Sequence, residues 1–232
     1  MIETLAALLG ILLITGGPVL CLRLRGAAWR WFALGIASWA LALCAKVALG
    51  IPLYYGGAEE LPAAAQGVLG GLVSAVCELG MAALFLRRRT LSAADVLAFG
   101  AGIGSFEVVF VLGSAVVAAI WLEADAPSGS LPVAAVWLFF LLERAITLVG
   151  HVSSRVLLYV ALRARWPLPA VLAVLLFTCV DGVASYGHAA GWDWDRVAVR
   201  TGLILFLAVA GLVEAALAWW AWRTARAGGR LT

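Results

Sequence analysis

Apolar residues gather into seven runs, at about 4–22, 31–53, 63–86, 93–121, 131–162, 168–189 and 200–222. A helix needs roughly 20 consecutive apolar residues to cross a hydrocarbon layer about 30 Å thick. Each run meets or approaches that length, so the pattern predicts an all-α, polytopic transmembrane bundle of about seven spans. Residues 1–232 form a single integral membrane domain on this reading. The fourth and fifth runs are near 30 residues and should tilt, kink or project beyond the hydrocarbon. Ser92-Ala93-Ala94-Asp95 has the spacing of a capping box and should start the fourth helix. The spans share no period beyond hydropathy.

The connections alternate in charge. Arg23, Arg25 and Arg30 follow the first span, Arg87 to Arg89 the third, Arg163 and Arg165 the fifth, and Arg223, Arg226 and Arg230 the last. The opposite connections carry Glu59, Glu60, Glu123, Asp125, Asp193 and Asp195, with only Arg196 and Arg200. The positive-inside rule then places the N-terminus outside and the C-terminus in the cytoplasm. Trp29, Trp31, Trp166, Trp219, Trp220 and Trp222 would mark the cytoplasmic interface, and Tyr54, Tyr55, Trp121, Trp192 and Trp194 the outer one.

Composition agrees and narrows the class. The chain is 65% hydrophobic and 12% charged, too little polar surface for a soluble domain of this length. Its net charge of +3 reflects arginines distributed by topology, so it gives no reason to expect nucleic acid. The partner it implies is the lipid bilayer. The four cysteines lie singly in apolar segments and read as small packing residues.

The informative residues are the polar ones inside the spans. Lys46, Glu78, Glu107, Glu143, Arg144, His151, Arg155, Asp181, His188 and Glu214 all fall there. A charge near mid-membrane costs about 2.5–3.5 kcal/mol on insertion scales, so such groups persist paired or facing protein. At 100° per residue, Arg144, His151 and Arg155 form one stripe of the fifth helix, with Glu143 beside it. Thr178, Asp181, Ser185 and His188 share a face of the sixth. Gly100 and Gly104 make a small-xxx-small face on the fourth, followed by Glu107. Three cationic side chains face five carboxyls, so pairing alone could explain much of the set. Lys46 and Glu214 stand alone on their helices and look like partners for charge elsewhere.

The order of these motifs resembles the YhfC-type intramembrane metalloprotease family, a relative of the CAAX-processing and PrsW-like membrane proteases. Glu78 with Arg87 to Arg89, Gly102-Ile103-Gly104-Ser105-Phe106-Glu107, Glu143-Arg144 with His151, and Phe177 to Asp181 match its successive motifs over residues 70–190. The resemblance implies a bacterial plasma-membrane protein that hydrolyses a peptide bond in or near the bilayer. Under it, Glu78 or Glu107 acts as general base on metal-bound water, and His151 and Asp181 ligate a divalent metal ion. Arg144, next to Glu143, steadies an oxyanion or a carboxylate. The chain departs from the motifs where histidine gives way to Ile103 and Phe177, where Cys77 replaces a glutamate, and at Met81. One imidazole among carboxylates suits Mn²⁺ or Mg²⁺ better than Zn²⁺. A divergent member with an altered or lost metal site is therefore expected.

Two other functions compete with a peptidase. A non-catalytic relative would hold a membrane protein or peptide partner in the same groove. A transporter or proton relay would use Glu78, Glu107, Glu143 and Asp181, but an odd span count offers no inverted repeat. A rhodopsin is excluded by the lack of lysine in the last span, and a haem site by the separation of His151 and His188. Topology can be tested by single cysteines at Ser128 and Thr232, with the four native cysteines replaced. They should be labelled from opposite sides of the membrane; labelling from one side rules out seven spans.

Overall fold

In hydrocarbon there is no water to satisfy backbone N–H and C=O groups, so a spanning segment must satisfy its own, and the helix does this within one segment. The structure is a computed structural model that describes residues 2–87, 89–121, 133–194 and 196–231. Arg88, Glu123, Asp125, Ser128, Asp195 and Thr232 lie outside the described residues. Seven helices follow in order: α1 (Ile2–Leu24), α2 (Trp29–Tyr55), α3 (Ala63–Leu86), α4 (Ala93–Trp121), α5 (Val133–Ala164), α6 (Pro167–Ala189) and α7 (Val197–Ala227). A single 3₁₀ turn, Ala58–Glu60, separates α2 from α3. Seven helices are long and apolar enough to cross a bilayer, the pattern of a multi-pass membrane protein.

α4 and α5 form the centre. α4 packs against α1, α2 and α5, while α5 also meets α6 and α7, and α3 pairs mainly with α6. Backbone proximity on α4 explains its glycines. A Cβ at Gly100 would lie 2.7 Å from Val152 Cα on α5, and one at Gly102 would lie 2.3 Å from the Phe32 carbonyl on α2. Side chains there would force the helices apart. Their absence lets α2 and α5 flank α4 closely enough for Glu107 to reach both. On the other pair, a Cβ at Gly71 of α3 would lie 2.1 Å from the Thr178 carbonyl of α6.

The start of α4 is capped as its sequence predicts. The Asp95 amide donates to Ser92 Oγ at 3.2 Å and the Ser92 hydroxyl donates to Asp95 Oδ2 at 2.8 Å. Asp95 Oδ1 also accepts the Ala28 amide at 3.1 Å, tying α4 to the α1–α2 turn. Trp31 departs from the interfacial role expected of it. It shares the buried stripe Trp31, Gly35, Ser38, Trp39 and Ala42, and the helical period turns that stripe into the core. Trp29 and Trp219, off their helices' buried faces, remain exposed. The leucines of α1 likewise point outward, as expected for a lipid-facing helix.

Helix packing yields a paired prediction. Gly71→Val should lower the thermal midpoint in detergent by an amount equivalent to at least 1–3 kcal/mol, the usual cost of overpacking. Gly113→Ala should be neutral within about 1 kcal/mol, because among the described residues nothing lies within 4 Å of the added Cβ.

Candidate functional site

α5 carries the site because its polar residues recur at helical spacing on the face turned to α3, α4 and α6. The polar line runs from Glu143 to Arg155, roughly 18 Å along the axis at 1.5 Å per residue. Two carboxylates from neighbouring helices meet it. Glu78 of α3 accepts from Lys46 Nζ at 2.5 Å on Oε1 and from Arg155 Nη2 at 2.7 Å on Oε2. Glu107 of α4 accepts from Arg144 Nη1 at 2.8 Å on Oε1, and its Oε2 lies 2.6 Å from His151 Nε2 and 3.0 Å from Trp39 Nε1. The imidazole of His151 stands between the two carboxylates, with Nδ1 3.5 Å from Glu78 Oε2. Arg144 also pairs with Glu143.

Burial is deepest where the charges are most tightly matched. Glu78 and His151 are each 3% exposed and Arg155 is 1% exposed. The Arg155 guanidinium lies 5.0 Å above the Phe177 ring and donates to Ser154 Oγ at 2.8 Å. The Phe177 ring in turn packs 5.7 Å from the His151 ring. Phe177 therefore covers one side of His151. Ile103 is fully buried in the core one turn before Glu107.

Asp181 sits at the more open edge of this network. It bonds to Ser74 and lies 3.9 Å from Lys46, and its side chain is 32% exposed. A groove of about 440 Å³ runs past Lys46 and Ser74 between α2, α3 and the Ser185 face of α6, toward Tyr54 and Gln66. His188 is exposed, with its ring 5.0 Å from Trp194. Glu214 is buried, its Oε1 has no hydrogen-bond partner among the described residues, and Arg155 of α5 is the cation whose charge acts on it. Beyond Arg155 the buried face of α5 is mostly apolar, through Val156, Leu157, Leu158 and Val160, with Tyr159 the exception, its hydroxyl accepting the Leu91 amide at 2.8 Å.

These residues can be tested against a divalent metal. Glu78, Glu107 and His151 each bring one donor atom within 4.8 Å of the others, whereas Asp181 is outside that trio. The spacing is short enough for one ion and His151 Nδ1 has no hydrogen-bond partner among the described residues, but the carboxylate oxygens are already engaged. Both oxygens of both glutamates accept from cationic or N–H groups. An ion entering there would have to displace Lys46, Arg144 or Arg155 and remain beside them. A zinc hydrolase site takes two or three nitrogen or sulfur ligands and an open water position; here one imidazole serves. A harder ion takes about six or more oxygens, which this trio does not supply. The residues do not fit a resident catalytic metal.

Sequence reasoning brought Glu78, Glu107, Arg144 and His151 forward, and these four converge. It missed Trp39, Ser74 and Ser154 as polar partners. Trp39 precedes Lys46 by seven residues and therefore shares its helix face, a signal visible in the sequence. No protein-family model matches the chain, and neither a curated protein nor a solved structure is found to match it.

Breaking the buried pair should be costly. Arg155→Ala leaves Glu78 short of one cation and should destabilise the fold by about 3–5 kcal/mol, measured by denaturation in detergent. Asp181→Asn should cost less than Asp181→Ala, because the amide carbonyl can still accept from Ser74; equal losses would remove Ser74 from the account.

Proposed function

We propose that the chain is a divergent, non-peptidase relative of the YhfC-type intramembrane metalloproteases. It holds a membrane-embedded peptide segment of a partner protein in the groove beside Lys46 and Ser74. The observation that carries this reading is the capping of Glu78 and Glu107. A carboxylate that is to take a proton from a metal-bound water needs a lone pair directed at that water. Here each of the four carboxylate oxygens already has a partner among Lys46, Arg144, Arg155, His151 and Trp39, which competes with a water for it. The convergence of residues from the motifs on α3, α4 and α5 supports kinship with the family. Phe177 against His151 supports loss of its chemistry.

The groove suits a peptide because it offers polar groups at its base and apolar walls along its length. Lys46, Ser74 and Ser185 can meet backbone carbonyls or side chains, while Leu53, Leu69 and Val73 cover apolar ones. A through-membrane relay is less well supported, since the polar line gives way to apolar packing after Arg155. The charge of the connections supports a plasma-membrane protein with its arginine-rich ends in the cytoplasm. The groove then opens toward the outer face.

Purified protein should contain no stoichiometric zinc, manganese or magnesium by elemental analysis, and chelators should abolish no peptide cleavage. A photo-crosslinker at Val73 should capture a membrane peptide in cells, and Lys46→Ala should weaken that adduct at least several-fold. One zinc per chain, lost together with hydrolysis on His151→Ala, would overturn the proposal.

A further inference from the structure

Among the described residues α4 and α7 each pack against α5, and neither packs closely against the other. The opening between them is a groove of about 310 Å³ with Val152 and Val156 of α5 on its floor. Leu97 of α4 forms one wall, and Ala218, Trp219 and Trp222 of α7 form the other. Small side chains at Ala215 and Ala218 leave the depression open. Its floor is braced: the Trp222 ring stacks on Tyr159 at 6.0 Å, and the Tyr159 hydroxyl bonds to the Leu91 backbone. Ser153 brings the one hydroxyl in the lining. A surface of this kind offers an ion or a water too few partners, whereas an acyl chain gains dispersion contacts along its length.

The end of the groove decides which lipid fits. Ala215, Trp219 and Trp222 step along one face of α7, and at 100° per residue that face continues to Arg226. The Arg223 guanidinium lies 4.7 Å from the Trp219 ring, so it stands at the groove wall. Both arginines are exposed. The ion pairs among the described residues take up Lys46, Arg144, His151 and Arg155, and leave these two without a carboxylate. From Ala215 to Trp222 the groove runs roughly 10 Å along the axis, with Arg226 about 6 Å farther on. A chain lying in it carries its phosphate to the level of both guanidiniums, whose forked N–H groups suit phosphate oxygens. We propose that this groove binds one anionic phospholipid of the leaflet at the arginine-rich end, with an acyl chain between α4 and α7 and the phosphate on Arg223 and Arg226. A zwitterionic lipid offers the same chains but sets a second positive charge beside the arginines. A second copy docked here about a two-fold axis would bring its own Arg223 and Arg226 toward these, like charge against like. The site shares no residue with the groove past Lys46, so it stands or falls separately from the proposed function.

The test uses the full chain in detergent, with dioleoyl phosphatidylglycerol and dioleoyl phosphatidylcholine as probes that share their chains and differ in charge. Native mass spectrometry counts the lipid retained. One phosphatidylglycerol should bind per chain, at least tenfold more tightly than phosphatidylcholine, since each arginine beside an anionic headgroup contributes roughly fivefold. Arg223→Gln combined with Arg226→Gln should remove that preference. Arg25→Gln with Arg30→Gln takes two charges from the same end of the bundle, away from the groove, and should leave the preference within about twofold. Ala215→Leu fills the groove and should weaken both lipids at least fivefold. If that variant fails to fold, Trp219→Ala, at an exposed position, carries the test with the same loss expected for phosphatidylglycerol. Equal retention of the two lipids, a preference that survives loss of Arg223 and Arg226, or one that falls as far on loss of Arg25 and Arg30 would overturn the proposal. So would a dimer that Trp219→Ala dissociates, which would make the groove an interface between copies.

Discussion

Burying Glu78 and Glu107 in a bilayer-spanning bundle is the constraint that organises this protein. A carboxylate taken out of water loses solvation worth several kcal/mol, and only close, well-oriented donors can compensate. Lys46 from α2 and Arg155 from α5 supply them for Glu78, while Arg144, His151 and Trp39 supply them for Glu107. These bonds connect α2, α3, α4 and α5. Lipid offers no hydrophobic drive for helices to associate, so a polar hub of this kind contributes to both cohesion and register.

The hub can form only because backbones come close. Glycines on α4 let α2 and α5 approach from two sides, and Gly71 does the same between α3 and α6. A larger residue at Gly100 or Gly102 would widen the gaps that the Glu107 bonds bridge. Packing and electrostatics therefore depend on each other here: small residues set the distance, and charged residues use it.

The same hub that stabilises the fold constrains its chemistry. A hydrolytic metal centre needs donors held ready and left free, whereas each oxygen of these carboxylates is already engaged by a lysine, an arginine, or the His151 and Trp39 ring nitrogens. Phe177 gives the His151 ring a packing partner and Arg155 a cation–π surface. What remains open is peripheral, in the groove past Lys46 and in the one between α4 and α7.

Hydropathy alone determined the helices, because a run of some 20 apolar residues has few alternatives to spanning a membrane. The ends of α3 and α4 and the Ser92–Asp95 cap were legible for the same local reasons. The α5 stripe was legible too, since 100° per residue places Arg144, His151 and Arg155 on one face whatever surrounds it. Which residues that stripe meets was not. Lys46 reaches Glu78 across 32 positions, Trp39 reaches Glu107 across 68 and Arg155 reaches Glu78 across 77, and no local pattern encodes those pairings. Trp31 was misplaced at the interface because an aromatic near a helix end looks the same from sequence whether it turns toward lipid or core. Glu214 meets the charge of Arg155 without a hydrogen bond to its Oε1 and borders a cavity, an outcome set by the packing of α5, α6 and α7. Local composition fixes what one helix can do alone; distances between helices decide which of its groups are paired, covered or left open.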